Sequence, residues 1–465
     1  MNLSKATYFT VENLSNRTNR IDAHFFNPKY YETLSRLEKL TDGKIVKPLR
    51  KLLADSKTRL TGGATPLGAT YVPEGIPFIR VQNVKECKLE VEKAVRIPRI
   101  IHEKMLRRSK LKPNDVLLTI TGVTYGISAV VPDDIEEANM NQHSVKMEVD
   151  DKIILPYYLC HFLNSEMCKL QMDRAVTGGT RPALDYSAIG DLRILFPKDI
   201  DKQYEISQET RGMYEKAYLC LQERDHILST LDSLIFDILG LVLPEEFSTK
   251  YSLANISQEN RLDAIAHSPY REALTKLIQS GDHEKLGKLV KQAIKKSPNF
   301  ADYYKLIDMR NVEEKTGRVR ITETDELDST KLLLEKGLIL VSCLNPQKGK
   351  VFLVDNRLEG CICSTEFMPL YLVSEDIDLQ YLLAILRSKI VTDQWKYCVT
   401  GSTPSRERIS ENDVLNTLLP KPERSMQKKI GELIADKIRM IDQLEKDSAL
   451  LMAKARNTFL SSLAD

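Results

Sequence analysis

The tetrapeptide Asn27-Pro28-Lys29-Tyr30 comes nearest, in this chain, to a sequence that does covalent chemistry. Adenine methyltransferases hold their target amine with Asn-Pro-Pro-Tyr, and the second proline is absent here. No glycine-rich cofactor loop between a strand and a helix accompanies it, and the related Ser268-Pro269-Tyr270 has no asparagine. Gly178-Gly179 lacks the lysine of a phosphate-binding P-loop and opens no helix in the required register. The seven histidines and the single tryptophan, Trp395, form no metal or catalytic constellation, and His24, His102, His161, His226, His267 and His283 read as surface or packing residues. The eight cysteines include no Cys-x-x-Cys zinc pair, and Cys361 and Cys363 would share one face of a strand. They read as reduced, mostly buried thiols of a cytoplasmic protein. The chain is therefore expected not to be an enzyme.

At 465 residues the chain exceeds what one hydrophobic core usually serves, so two or more domains are expected. Its 42% hydrophobic and 28% charged residues are ordinary for a globular protein, and a net charge of +2 neither demands nor excludes nucleic acid. Met1 to Thr10 has no apolar core of signal-peptide length. Leu234 to Leu243, the most apolar stretch, is interrupted by Asp237 and is too short to span a bilayer. No membrane association is expected.

The chain repeats itself once. Asn19-Arg20-Ile21-Asp22-Ala23 and Pro28 are answered, 241 positions on, by Asn260-Arg261-Leu262-Asp263-Ala264 and Pro269. Ile79 to Val84 then answers to Ile307 to Val312, and Asp115 to Thr119 to Gly337 to Val341. Thr177-Gly178-Gly179-Thr180 answers to Thr400-Gly401-Ser402-Thr403, Pro197-Lys198 to Pro420-Lys421, and Gln203 with Ile206 to Gln427 with Ile430. The offset shrinks to about 223, so the frame of each copy is kept while its middle varies.

These landmarks sit on elements that the patterning predicts. In the first copy Pro77 to Val81, Val116 to Ile120, Ile127 to Val131 and Leu192 to Phe196 read as strands, with Asn141 to Val149 as a half-buried one. Pro156 to Leu170 has helical spacing. The second copy gives strands at Leu338 to Ser342, Val351 to Val354, Cys361 to Val373 and Leu415 to Leu419, with a helix at Leu379 to Arg387. Each copy is α+β with a mostly non-parallel sheet. A long helix follows each: Ile206, Met213, Ala217, Cys220, Ile227, Leu231, Leu234 and Ile238 after Asp201, and Ile430, Ile434, Ile438, Ile441, Leu444, Leu451, Ala455 and Phe459 after Ser425. Narrow seams of this spacing predict coiled-coil pairing of the two helices, antiparallel. At 1.5 Å per residue, roughly 35 residues make a rod of about 50 Å.

The order domain, long helix, domain, long helix resembles the specificity subunit of Type I restriction–modification systems. Gly62-Gly63-Ala64-Thr65-Pro66-Leu67-Gly68 followed by Ile76 to Arg80 is similar to the opening of a target-recognition domain, as is Asp115 to Leu118 with Thr121, Gly122 and Gly126. Gly178 to Leu184 leading into Leu195-Phe196-Pro197, and Gly401-Ser402-Thr403-Pro404 through Leu418-Leu419-Pro420, resemble its close. The second copy departs from the pattern, since charged Lys285 to Lys296 stands where its Gly-Gly-x-Thr-Pro should be.

The resemblance implies an α+β fold: two pseudo-symmetric α/β target-recognition domains separated by two long antiparallel coiled-coil helices. Its parts would be an N-terminal segment (1–44), a first recognition domain (45–198), a central region with the first long helix (199–280), a second recognition domain (281–421) and a C-terminal spacer helix (422–465). It further implies a non-catalytic, sequence-specific reader of double-stranded DNA with a bipartite target, whose half-sites on one face of B-DNA lie about 34 Å apart. Two methyltransferase subunits would dock on the helices and a restriction translocase-nuclease subunit would join them. No cofactor is expected on this chain; S-adenosylmethionine would belong to the methyltransferase. The alternative from another class is a scaffold whose duplicated domains bind proteins on a coiled coil.

Base reading in the major groove favours Arg for guanine and Asn or Gln for adenine, on loops free of the core. By position these are Arg80, Asn83, Thr121, Gln142, His143, Thr180 and Arg181 in the first copy. In the second they are Arg310, Asn311, Asn345, Gln347, Lys348, Thr403 and Arg406. Asn83 and Asn311 have a competing use, because asparagine also caps turns. Arg107, Arg108 and Lys110 are candidates for phosphate contacts.

Overall fold

A computed structural model describes residues 44–54, 60–178, 182–245, 268–298 and 301–463, less positions 67, 69, 328, 402, 404 and 405, together with positions 25, 27, 29, 30 and 32. The Arg20 to Ala23 and Arg261 to Ala264 landmarks lie outside the described residues. The chain divides into two units, Met1–Cys220 with Lys446–Asp465, and Leu221–Glu445.

In the first unit short apolar runs form β1 (Lys44–Pro48), β2 (Thr61–Gly62), β3 (Ile76–Ile79), β4 (Val84–Lys85), β5 (Lys88–Leu89), β6 (Val95–Ile97), β7 (Lys110–Leu111), β8 (Val116–Thr119), β9 (Ser128–Val130), β10 (Ala138–Met140), β11 (Ser144–Met147) and β12 (Arg193–Pro197). They assemble into two four-stranded sheets, β6-β3-β10-β7 and β2-β11-β8-β9, with β1 paired to β12 and β4 to β5. All pairings are antiparallel except that of β3 with β10. Along β8 the side chains alternate: Val116 and Leu118 enter one apolar cluster and Leu117 another. Burial on both faces is why this strand reads as an unbroken apolar run. Helices α1 (Pro156–Asn164), α2 (Glu166–Ala175) and α3 (Tyr186–Asp191) follow. The expected single helix over Pro156 to Leu170 breaks at Ser165, whose hydroxyl accepts from the Cys168 N–H at 3.4 Å and so starts a second helix.

The second unit repeats this plan. After α4 (Ile200–Leu239) come α5 (Pro269–Gln279), β13 (His283–Lys285), α6 (Leu286–Leu289), β14 (Val290–Gln292), β15 (Tyr304–Ile307), β16 (Thr322–Thr324), β17 (Lys331–Leu333), β18 (Ile339–Ser342), β19 (Val351–Leu353), β20 (Ile362–Ser364) and β21 (Phe367–Leu372). Helices α7 (Leu379–Arg387), α8 (Lys389–Lys396) and α9 (Glu411–Leu415), strand β22 (Leu418–Pro420) and α10 (Arg424–Ser462) complete the order. The sheets run β16-β15-β20-β17 and β14-β21-β18-β19, with β13 on β22, and again one pair, β15 with β20, is parallel. Strand for strand the two units agree, the β4–β5 hairpin of the first being the addition. β18 alternates as β8 does, with Ile339 and Val341 in one cluster and Leu340 in another.

Three expectations are corrected. Cys361 to Val373 is not one strand: polar Thr365-Glu366 makes a turn after Ser364, sending β20 and β21 into different sheets. Leu415 ends α9, and the strand begins only at Leu418. Asn141 lies in the turn between β10 and β11.

Each unit contains a segment of both long helices. Along α10 the buried positions Gln427, Ile434, Ile441, Ser448 and Ala455 recur at heptad spacing. On the first half of α4 the seam is instead Gln203, Ser207, Thr210, Tyr214 and Ala217, while Ile206 is only half-buried. Polar residues serve there because the helix satisfies them: the Ser207 and Thr210 hydroxyls donate to the carbonyls of Gln203 (2.6 Å) and Ile206 (2.8 Å). In the second unit Ile227, Leu231 and Ile235 join Ile430, Ile434 and Ile441 in one cluster. There Arg224, near the start of its α4 segment, pairs with Glu445, the end of its α10 segment, at 3.0 Å, as antiparallel helices require.

Gln203 and Gln427 do the same work at the two helix starts. Gln203 accepts from Leu155 N–H (3.0 Å) and donates to the carbonyls of Ile153 (3.0 Å) and Pro197 (2.8 Å). Gln427 accepts from Asp378 N–H (2.8 Å) and donates to those of Asp376 (3.2 Å) and Pro422 (2.8 Å). Gly431, one turn on, is buried and leaves no room for a side chain, since a Cβ there would lie 2.7 Å from the Tyr381 nitrogen at the head of α7.

Buried His161 of α1 closes the first unit's seam, 5.8 Å from the ring of Tyr214 on α4 and 5.8 Å from that of Phe459 on α10. Burial pushes its pKa down from 6.5 to about 4. The unfolded chain therefore binds a proton between these values that the native state refuses, so stability falls as pH drops from about 6.5 to about 4. The full span is worth about 3 kcal/mol at that shift. In urea unfolding at pH 7 and pH 4.5, His161→Phe should lose less stability on acidification than the parent; equal losses would show that His161 is not the group responsible.

Candidate nucleic-acid interface

In the first unit the polar candidates gather where β8 and β10 end and β11 begins. The β10–β11 turn presents Gln142 and His143, both exposed, and the Thr121 hydroxyl lies 2.7 Å from His143 Nδ1. The other ring nitrogen is 3.3 Å from Gln142 Nε2. Thr65, from the loop after β2, donates its hydroxyl to Gln142 Oε1. Thr121 also bridges to Ala183, which bridges in turn to Thr177, so the glycine-loop segment meets this cluster. Thr180 and Arg181 lie outside the described residues. Arg80 is half-buried, its guanidinium 5.8 Å from the centre of the Tyr71 ring and its Nε without a hydrogen-bond partner. Arg107 and Arg108 are exposed and Lys110 half-buried, on the turn leading into β7.

The second unit brings equivalent loops together: Leu344 bridges to Arg408 and Arg408 to Thr400. The turn Asn345 to Lys348 meets this loop, with Asn345 N–H donating to the Glu407 carbonyl (2.8 Å) and Gln347 Nε2 to the Glu407 carboxylate (2.5 Å). Exposed Lys348 pairs with Glu314 at 3.0 Å. Thr403 and Arg406 are exposed on the same loop, closed by the Arg406 N–H to the Thr403 carbonyl at 2.9 Å. Arg310 leaves 86% of its side chain exposed, 3.5 Å from Asp308.

Four candidates have structural work instead. Asn83 is 2% exposed; its Oδ1 accepts from Arg80 N–H at 3.0 Å and its amide reaches the Glu90 carbonyl at 3.4 Å. Half-buried Asn311 caps the matching turn, accepting from Asp308 N–H at 2.8 Å. The same dipeptide frame makes both into turn caps, which removes their amides from a surface. Half-buried Asn345, at φ 48, and Gln347 shape their own turn, and the side-chain oxygens of both are buried. Thr65 and Arg408, neither expected from position, also stand at these loops. Thr65 stands in the Gly-Gly-x-Thr opening, the available signal; Arg408 is held by Glu366 at 2.7 Å and 3.1 Å, a pairing invisible before folding.

Exposed amides, hydroxyls and guanidinium groups on hydrogen-bonded loops suit the recognition of polar edges. Among the described residues no group of His, Cys, Asp and Glu is arranged to hold a metal ion, and no helix is long and apolar enough to cross a membrane.

No family model matches the chain. It is similar to the Type I restriction enzyme EcoBI specificity subunit of Escherichia coli, 24% identical over 197 residues that cover 42% of this chain and 41% of that protein. It is also similar to the HindI specificity subunit of Haemophilus influenzae, 28% identical over 119 residues, 25% of this chain and 26% of that one. The chain thus matches less than half the length of either relative. Among solved structures it aligns with the Type I S subunit of M. genitalium at a TM-score of 0.45 and 14% identity, covering 90% of this chain and 96% of that one. The HsdS subunit of Thermoanaerobacter tengcongensis aligns at 0.34, also at 14% identity, over 91% and 97%.

The capping assignment separates structural from surface residues. Asn83→Ala should lower the unfolding free energy by about 1–2 kcal/mol, since it orphans the Arg80 N–H. Gln142→Ala should stay within about 0.5 kcal/mol of the parent. Denaturant midpoints measured on both variants check this, and a neutral Asn83→Ala would return that residue to the surface set.

Proposed function

We propose that this chain is the sequence-specific DNA-reading specificity subunit of a Type I restriction–modification complex, with each unit reading one half of a bipartite double-stranded target. The observation that carries the proposal is the duplication itself: one strand order, one parallel pair and one helix-starting glutamine occur twice, while the exposed loops differ. A frame used twice with unlike loops suits a protein that must recognise two unlike short sequences. The likeness to two curated specificity subunits supports the same reading.

In this reading the chain is non-catalytic. Two methyltransferase subunits dock on the long helices and carry S-adenosylmethionine, a restriction translocase-nuclease subunit completes the assembly, and the complex works in the cytoplasm. Arg80, Thr121, Gln142, His143, Arg310, Lys348, Thr403 and Arg406 are the described base-reading candidates, and Thr180 and Arg181 are the two that lie outside the described residues. Arg107, Arg108 and Lys110 would hold phosphates, setting affinity without reading sequence.

Electrophoretic mobility shifts on random double-stranded DNA across a salt series test this. Binding should weaken steeply with salt, and the Arg107→Ala/Arg108→Ala double variant should lower the slope of log K against log salt by about 2. A chain that binds no duplex DNA at low salt would favour the protein-binding scaffold instead.

A further inference from the structure

We infer that Val123 is a base-reading residue of the first unit and that its ligand is the 5-methyl group of a thymine; this rests on the DNA-reading function proposed above. Val123 is 93% exposed, more than any other large apolar side chain among the described residues. A solitary exposed valine is common on protein surfaces and means nothing by itself. Here its mounting and its neighbours give it meaning.

The loop that presents it is tightly fixed. Gly122 (φ 84) and Gly126 (φ 83) flank it in the left-handed region. The Thr119 hydroxyl donates to the Thr124 carbonyl at 2.6 Å, Gly122 N–H to the Pro182 carbonyl at 3.0 Å, and Gly126 N–H to the Thr119 carbonyl at 2.8 Å. The Tyr125 hydroxyl donates to Asp173 at 2.7 Å. An apolar tip held this firmly loses little freedom on contact, which is what preorganised recognition needs. Two residues before it, Thr121 belongs to the polar cluster with His143 and Gln142. Of the base-pair edges in the major groove, only thymine offers a methyl group beside hydrogen-bonding atoms. A valine next to amide, imidazole and hydroxyl groups matches that mixture.

The second unit lacks this device. Gly349 (φ 59) ends the matching loop as Gly126 does, and counting back from each glycine sets Val123 against Pro346, which is buried. Methyl reading is therefore assigned to one half-site only.

The test uses the full chain with the methyltransferase subunits of the proposed complex, selecting bound duplexes from a randomised pool amplified with dTTP or with dUTP. Deoxyuridine pairs as thymidine does and lacks only the methyl group. From the dTTP pool the parent should enrich a thymine in one half-site, and from the dUTP pool its preference there should fall about fourfold, the equivalent of ~0.8 kcal/mol for one buried methyl. Val123→Ala should show the weaker preference from both pools, with the other half-site unchanged. Equal preference by the parent in both pools, or a full pool difference retained by Val123→Ala, overturns the assignment while leaving DNA reading intact. Failure of the parent to enrich any motif removes the underlying function as well.

Discussion

The apolar and hydrogen-bonded seams of α4 and α10 are what each globular unit closes upon. The first unit's core takes Phe459 from α10 and Leu463 just beyond its end, beside Tyr158, Phe162 and Phe196 from its own layers. The second takes Ile227, Leu231 and Ile235 from α4 and Ile430, Ile434 and Ile441 from α10. Removing a buried aromatic such as Phe459 leaves a cavity of the kind that costs about 3–5 kcal/mol. Neither unit has a full core without a helix segment supplied from outside its own run of strands.

The frame is repeated with local substitutions that preserve geometry and change chemistry. Four residues beyond each capping asparagine the backbone takes a positive φ, at Cys87 (φ 59) and at Lys315 (φ 63). Beside Cys87, Glu86 receives two bonds of 2.7 Å from Arg456 on α10 and one of 2.5 Å from the Tyr214 hydroxyl on α4. In the second unit Lys315 itself pairs with Asp232 on α4 at 3.2 Å, and Arg318 joins Glu313 and Glu445 at 2.6 Å and 2.9 Å. The acid on the turn and the base on the helix have changed places. Partly exposed pairs contribute little stability each, but opposite sign patterns disfavour docking the wrong turn on the wrong helix segment.

Much of this was legible in the sequence because repetition and periodicity are global signals. The α7 span matched residue for residue, and both long helices began within a residue of their expected starts. What escaped was set by partners distant in sequence. The Cys361 to Val373 run is apolar on both sides of the short polar break Ser364-Thr365-Glu366, and nothing in that pattern shows that β20 and β21 serve different sheets. The seam of early α4 was misread because Gln203, Ser207 and Thr210 are polar by type and buried by position. Asn83 and Asn311 had the right residue type for base reading, yet a hydrogen bond to the backbone three residues earlier claims each of them. Turn capping and base reading ask for the same amide, and only coordinates separate them.

In the proposed function two similar frames with unlike loops read two halves of one target. The decisive experiment is to sequence the methylated positions in the genome of a host that expresses this chain with the methyltransferase of the proposed complex. The account predicts a motif of two short blocks separated by a fixed number of unspecified bases. An unbroken motif, or methylation with no sequence preference, would contradict it.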